Sequence, residues 1–215
     1  MRKKLLLLSL LIITLLPSFA ATGYVCKYCG EKFSSLSVMG SLKCSKSPGG
    51  KHVVYEGEET GPYTCAYCGE RFSSLSVMGS LKCSKSPDGH HSAYEGKTSD
   101  KSYVCAYCGE RFSSLSVMGS LKCSKSADGH HSAFAGDTSS HKYVCKYCGE
   151  RFTSLSVMGS LKCSKSASGR HTPYDGDVNK KSFTCSYCGQ KFSSLSVMGS
   201  ARCSKSPDGH HDPMK

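Results

Sequence analysis

Twenty residues of this 215-residue chain follow one spacing, Cys-x2-Cys-x14-Cys-x7-His, repeated five times. The sets are Cys26, Cys29, Cys44 and His52; Cys65, Cys68, Cys83 and His91; Cys105, Cys108, Cys123 and His131; Cys145, Cys148, Cys163 and His171; and Cys185, Cys188, Cys203 and His211. They take in all 15 cysteines and five of the nine histidines. Comparing the copies decides which histidine belongs to the set. The residue just before it is His90, His130 or His210 in three copies but Lys51 and Arg170 in the other two. Neither Lys nor Arg serves as an ordinary metal ligand, so the unvarying histidine is the candidate and its neighbour is read as a solvated polar position.

Three thiolates and one imidazole form a closed tetrahedral set for zinc, which prefers sulfur and nitrogen donors and takes four of them in structural sites. One ion per set implies five zinc ions. Two residues between the first sulfurs let both reach one ion, and Gly30 supplies the positive φ of the tight turn that follows. Gly50, two residues before the histidine, turns the chain back toward the site. Disulfides are the alternative, and export would favour them. However, three cysteines per copy leave one thiol unpaired in each, and a disulfide scheme gives no reason for a fixed histidine.

The elements that position these ligands must be small. The first cysteines recur at intervals of 39 and then 40 residues, so the repeat fills the chain after its N-terminal segment. Modules are expected over 23–55, 62–94, 102–134, 142–174 and 182–215, joined by variable polar linkers such as Glu95 to Ser102. A unit of this length with so few apolar residues needs a metal to fold. The expected fold class is therefore small metal-stapled α+β modules, each a β-hairpin zinc knuckle plus a short helix, five in tandem with no single core. Ser34 or Ser35 is the expected N-cap, and Phe33, Leu36, Met39 and Leu42 the expected module core. Gly40 weakens the helix. Tyr28, between the paired cysteines, is expected to be exposed and is the first candidate for contacting a partner.

The front of each module, as in Tyr24, Cys26, Cys29, Gly30 and Phe33, resembles the front half of a two-Cys two-His zinc finger. The resemblance implies a β-hairpin carrying the paired cysteines. It then departs: where that family places its first ligating histidine this chain has Leu42, the third ligand is Cys44, and the fourth lies beyond a turn. The modules are also similar to tandem Cys/His repeats of exported bacterial proteins of unassigned function.

Residues 1–20 read as a signal peptide: Arg2, Lys3 and Lys4 precede an apolar run from Leu5 to Leu16, with small residues at Ser18 and Ala20. The run is shorter than the roughly 20 residues of a membrane span, so an exported, periplasmic or secreted, mature chain is expected. Losing the three basic residues lowers the net charge from +12 to +9. Five sites of formal charge −1 lower it further, to about +4. That is too little to argue strongly for nucleic acid, and Ser-Ser-Leu-Ser-Val-Met-Gly-Ser recurs with one change, Thr153, where base readout would vary it. No catalytic residue is identified and the sites look closed, so no enzyme is expected. The reading is a zinc-binding tandem repeat with a structural or multivalent interaction role. The alternatives are sequence-nonspecific binding of nucleic acid or another polyanion through lysines such as Lys43, Lys46, Lys82 and Lys85, and zinc buffering or scavenging.

Overall fold

A computed structural model describes residues 23–98 and 102–215. The proposed signal peptide lies outside the described residues. In the first module β1 (Tyr24–Val25) pairs antiparallel with β2 (Lys32–Phe33), Tyr24 opposite Phe33, and α1 (Leu36–Ser41) follows. The pattern repeats as β3 (Tyr63–Thr64), β4 (Arg71–Phe72) and α2 (Leu75–Ser80); β5 (Tyr103–Val104), β6 (Arg111–Phe112) and α3 (Leu115–Ser120); β7 (Tyr143–Val144), β8 (Arg151–Phe152) and α4 (Leu155–Ser160); and β9 (Phe183–Thr184), β10 (Lys191–Phe192) and α5 (Leu195–Ser200). Two-residue strands and six-residue helices are too short to persist alone. Each module is completed by isolated bridges, Cys26 to Val54 and Lys43 to Lys51 in the first, which fold the last third of the module back onto the hairpin.

Ser35, rather than Ser34, caps α1: its backbone is extended and its hydroxyl accepts from the Val38 N–H at 3.2 Å. Gly30 and Gly50 hold φ of 73° and 65°, as their turns require. Phe33, Leu36 and Met39 are buried as expected, but Leu42 is not. The helix stops at Ser41 and Leu42 takes an extended conformation, so its side chain leaves the helical face and is 47% exposed. Met39→Ala is therefore expected to cost about 2–4 kcal/mol and Leu42→Ala less than about 0.5 kcal/mol, by thermal unfolding of the zinc-loaded chain.

Among the described residues there are five apolar clusters, and each borrows residues from the module before it. Val25 and Tyr55 join the cluster of Leu75 and Met78, Tyr94 joins that of Leu115 and Met118, and Val144 and Tyr174 join that of Leu195 and Met198. The last module reaches the first in the same way, with Met214 against the cluster of Phe33 and Met39. The chain is thus a closed ring of five modules. The same contact recurs at every junction. Lys46 Nζ donates to the Ser76 carbonyl of α2 at 2.9 Å, Lys85 to Ser116 of α3 at 2.8 Å, Lys125 to Ser156 of α4 at 2.9 Å, and Lys165 to Ser196 of α5 at 3.1 Å. Lys205 closes the circle on Ser37 of α1 at 2.7 Å, 168 residues away in sequence.

The helical glycines make these junctions possible. Gly79 of α2 lies against the carbonyl oxygen of Tyr28, Gly119 against that of Tyr67, Gly159 against Tyr107, Gly199 against Tyr147, and Gly40 against Tyr187; a Cβ at any of them would overlap that oxygen. Tyr28 is half-buried rather than exposed, and what it contacts through its backbone is the next module.

The modules are nearly identical, but the residues lining the ring axis are not. The position after the first cysteine holds Lys27, Ala66, Ala106, Lys146 and Ser186, and the position four after the ligand histidine holds Glu56, Glu95, Ala135, Asp175 and Lys215. Residues of all five modules surround a central cavity of about 260 Å³. Lys27 stands 4.0 Å from Glu95, Lys146 2.8 Å from Asp212, and Lys215 3.2 Å from Glu95, while the Lys215 N–H donates to Glu56 at 2.8 Å. Burial alone would raise the Glu95 carboxyl, but Lys27 and Lys215 outweigh it and hold it below its ordinary value. Glu56 fares differently: burial, reinforced by Glu95, pushes it up to about 7. A carboxyl raised on folding favours the folded state while protonated and loses that contribution as pH rises from its unfolded value toward 7. Glu56→Gln keeps the acceptor for Lys215 and is expected to stabilise the ring by about 1–2 kcal/mol at pH 8, with the gain shrinking toward pH 5 in thermal unfolding.

Candidate metal centres

Each ligand set is built from three local devices. The hairpin β1–β2 presents Cys26 and Cys29 around the Gly30 turn, where the Gly30 N–H donates to the Cys26 carbonyl at 2.8 Å and the Cys26 N–H to Glu31 at 2.9 Å. The extended exit from α1 delivers Cys44. The turn ending at Gly50 is held by the Cys44 N–H donating to the Gly50 carbonyl at 2.9 Å, and it returns the chain to His52. The other four modules repeat these bonds.

All five sets gather one donor atom from each residue within 4.8 Å of one another. Nδ1 of His52, His91, His131, His171 and His211 lies 3.5 Å from the sulfur of Cys29, Cys68, Cys108, Cys148 and Cys188, respectively. Cys26 and Cys44 sulfurs are 4.0 Å apart, as are those of Cys105 and Cys123 and of Cys145 and Cys163, with 3.9 Å between Cys185 and Cys203. All fifteen cysteines are free. These separations fit zinc: metal bonds of about 2.3 Å to sulfur and 2.0–2.1 Å to nitrogen give tetrahedral edges of about 3.8 Å between sulfurs and about 3.5 Å from sulfur to nitrogen. A disulfide would bring two sulfurs to about 2.05 Å. When bound, zinc would supply the staple that joins hairpin, helix exit and turn, and each site able to hold one ion makes five in all.

Burial pushes Cys29, Cys68, Cys108 and Cys148 up to about 12, and the neighbouring cysteines add to the shift. Three sulfurs at such close quarters cannot all be ionised without a cation between them.

Around each set, one contact was not anticipated from the sequence. With Nδ1 turned to the sulfurs, the imidazole's Nε2 faces outward. It stands 3.7 Å from Glu31 in the first module, 3.9 Å from Glu70 in the second and 3.5 Å from Glu150 in the fourth. Glu110 occupies the same sequence position in the third module, and Gln190 in the fifth. The signal was present in the repeat as an acidic residue two positions after the second cysteine in four copies. Phe33 packs beside His52 with ring centroids 4.6 Å apart, and the corresponding Phe does so in every module. The variable residue before the ligand histidine is bridged to a second basic residue: Lys51 with Lys43, His90 with Lys82, His130 with Lys122, Arg170 with Lys162 and His210 with Arg202.

Comparison with known families agrees with this geometry. Residues 23–41, 63–80, 102–120 and 142–160 match a family model described as the C2H2-type zinc finger. The match spans hairpin and helix and stops before the third cysteine, where the ligand set becomes Cys-Cys-Cys-His. No curated protein and no solved structure matched the chain. Among the described residues no helix is long and apolar enough to cross a membrane.

Proposed function

We propose that this zinc-binding repeat protein is an exported, non-enzymatic scaffold that offers one surface five times to a multivalent partner. The observation that supports this reading is the closed ring with the same junction throughout, because the operation relating successive modules sets equivalent surface residues at one height and radius around the axis. Each module carries an exposed apolar spot there: Val38 with Leu42, Val77 with Leu81, Val117 with Leu121, Val157 with Leu161, and Val197, all close to half exposed. Weak contacts from five such spots add through effective concentration. Four ligands per metal leave no open position for a reacting water, which supports a structural role for zinc.

The test alters the spots one at a time. Val→Ser with Leu→Ser in one, two and then four modules of the full chain is expected to weaken binding to the envelope of the producing cells by about tenfold or more per step. Unchanged binding with four spots removed would overturn the reading. Export is checked on the same material by N-terminal sequencing, which is expected to start at Ala21.

Polyanion binding is a second reading, supported by the basic pairs such as Lys43 with Lys51 and Lys162 with Arg170. Lys46 and Lys85, earlier candidates for that role, are instead engaged with the neighbouring helix. This reading expects binding that falls steeply with salt and is lost when Lys43, Lys82, Lys122 and Lys162 are replaced by Gln.

A further inference from the structure

The fifth metal site differs from the first, second and fourth in one atom's surroundings. In the first, second and fourth modules a carboxylate oxygen faces the ligand histidine's Nε2 at 3.5–3.9 Å. In the fifth, Gln190 replaces the glutamate, and among the described residues His211 Nε2 is buried without a hydrogen-bond partner. His211 itself is only 2% exposed, so water does not readily make up the loss. A carboxylate opposite the outer nitrogen fixes which nitrogen carries the proton, orients the ring and makes the inner nitrogen a better donor; removing such a partner costs about 10–100-fold in metal affinity.

The fifth module is also where the ring closes without a peptide connection. Its seam with the first module consists of Tyr187 against Gly40, Lys205 on Ser37, Met214 in the Phe33 cluster, and Lys215 on Glu56. On the fifth-module side, Tyr187, Lys205, Met214 and Lys215 all lie within four residues of Cys188, Cys203 or His211.

We propose that the fifth site holds the exchangeable zinc ion of the five, and that its emptying opens the ring at the seam between the fifth and first modules. The inference goes beyond the scaffold reading and does not depend on any partner. It makes the display of five surfaces conditional on free zinc: the ring stays closed while the weakest site is filled and opens when zinc falls below what that site needs. Zinc loss involves no redox step. The ion passes to the competing chelator, and the sulfurs take up protons from solvent.

The experiment uses the full chain loaded with five zinc ions and an excess of a chromogenic chelator, with release read by absorbance and particle size by small-angle scattering at each equivalent removed. One equivalent is expected to leave about tenfold faster than the other four, and the radius of gyration is expected to rise with that first equivalent. Gln190→Glu is expected to merge the fast equivalent with the slow ones while leaving the total at five. Glu31→Gln, at a glutamate whose side chain is 60% exposed, is expected to create a second fast equivalent. Release of all five at one rate, or a fast equivalent that persists in Gln190→Glu, would overturn the assignment of the site. A radius that does not change until two or more ions have left would overturn the opening. Should Gln190→Glu not load five ions, the Glu31→Gln count decides alone: one fast equivalent contradicts the proposal and two support it.

Discussion

Gly79→Ala is expected to lower the melting temperature of the zinc-loaded chain and to expand it, although the same change in an exposed helix interior is stabilising. Alanine exceeds glycine as a helix former by about 1 kcal/mol, so propensity alone predicts a gain. At this position the new methyl group meets the backbone carbonyl of Tyr28 in the neighbouring module, and no side-chain rotation can move a carbonyl oxygen away. The helix must lift off its neighbour, which also separates Lys46 from Ser76 and Ser80. A net loss of about 2 kcal/mol or more is expected, with five zinc ions still bound and a larger radius of gyration in scattering. A rise in melting temperature would mean that the junction between the first two modules does not exist in solution.

Metal removal is expected to have the larger effect still. Stripping the ions with a strong chelator should abolish ordered structure altogether, because two-residue strands, six-residue helices and clusters of a few side chains cannot hold modules of this size without a staple. Structural zinc in modules of this kind contributes on the order of 10 kcal/mol each at neutral pH. Reloading is expected to return five ions per chain and to release up to three protons per ion, since burial keeps thiols such as Cys29 protonated in the metal-free state. The sign of the pH dependence follows. The metal-free chain binds more protons than the loaded one, so lowering pH unloads zinc and raising it tightens binding. Zinc titration in weak buffer with a pH indicator, alongside a free-thiol assay, measures both counts. A chain found with disulfides and no metal would contradict the assignment of the sites.

Much of the metal chemistry was legible because the chain compares itself with itself. Five copies separated His52 from Lys51 and His171 from Arg170 without any relative, and the glycine turns at Gly30 and Gly50 followed from the spacing. Two local expectations failed for identifiable reasons. Leu42 continues the apolar period of Leu36 and Met39, but the helix ends one residue earlier and the period carries no meaning beyond it. Tyr28 was expected to be exposed and is half-buried, because its backbone lies against Gly79 of the next module. The ring itself was not legible. Its junctions combine a carbonyl oxygen on a glycine and a lysine on serines, which leave no apolar signature in a sequence, with apolar residues such as Val25 and Tyr55 that read equally well as the core of their own module. The glutamate opposite the histidine was visible as a repeated residue but had no meaning until its distance to Nε2 was known.

The unequal residues along the axis bear on how the chain recognises itself. Five near-identical junctions cannot tell a module's own neighbour from the same module on another molecule, so two chains could trade parts and close mixed rings at little cost in those contacts. Lys27 with Glu95, Lys146 with Asp212, and Lys215 with Glu56 and Glu95 are made only when particular modules meet in one order. The axis thus serves as a key that distinguishes the correct circular order from shuffled ones, written in the few positions where the copies differ.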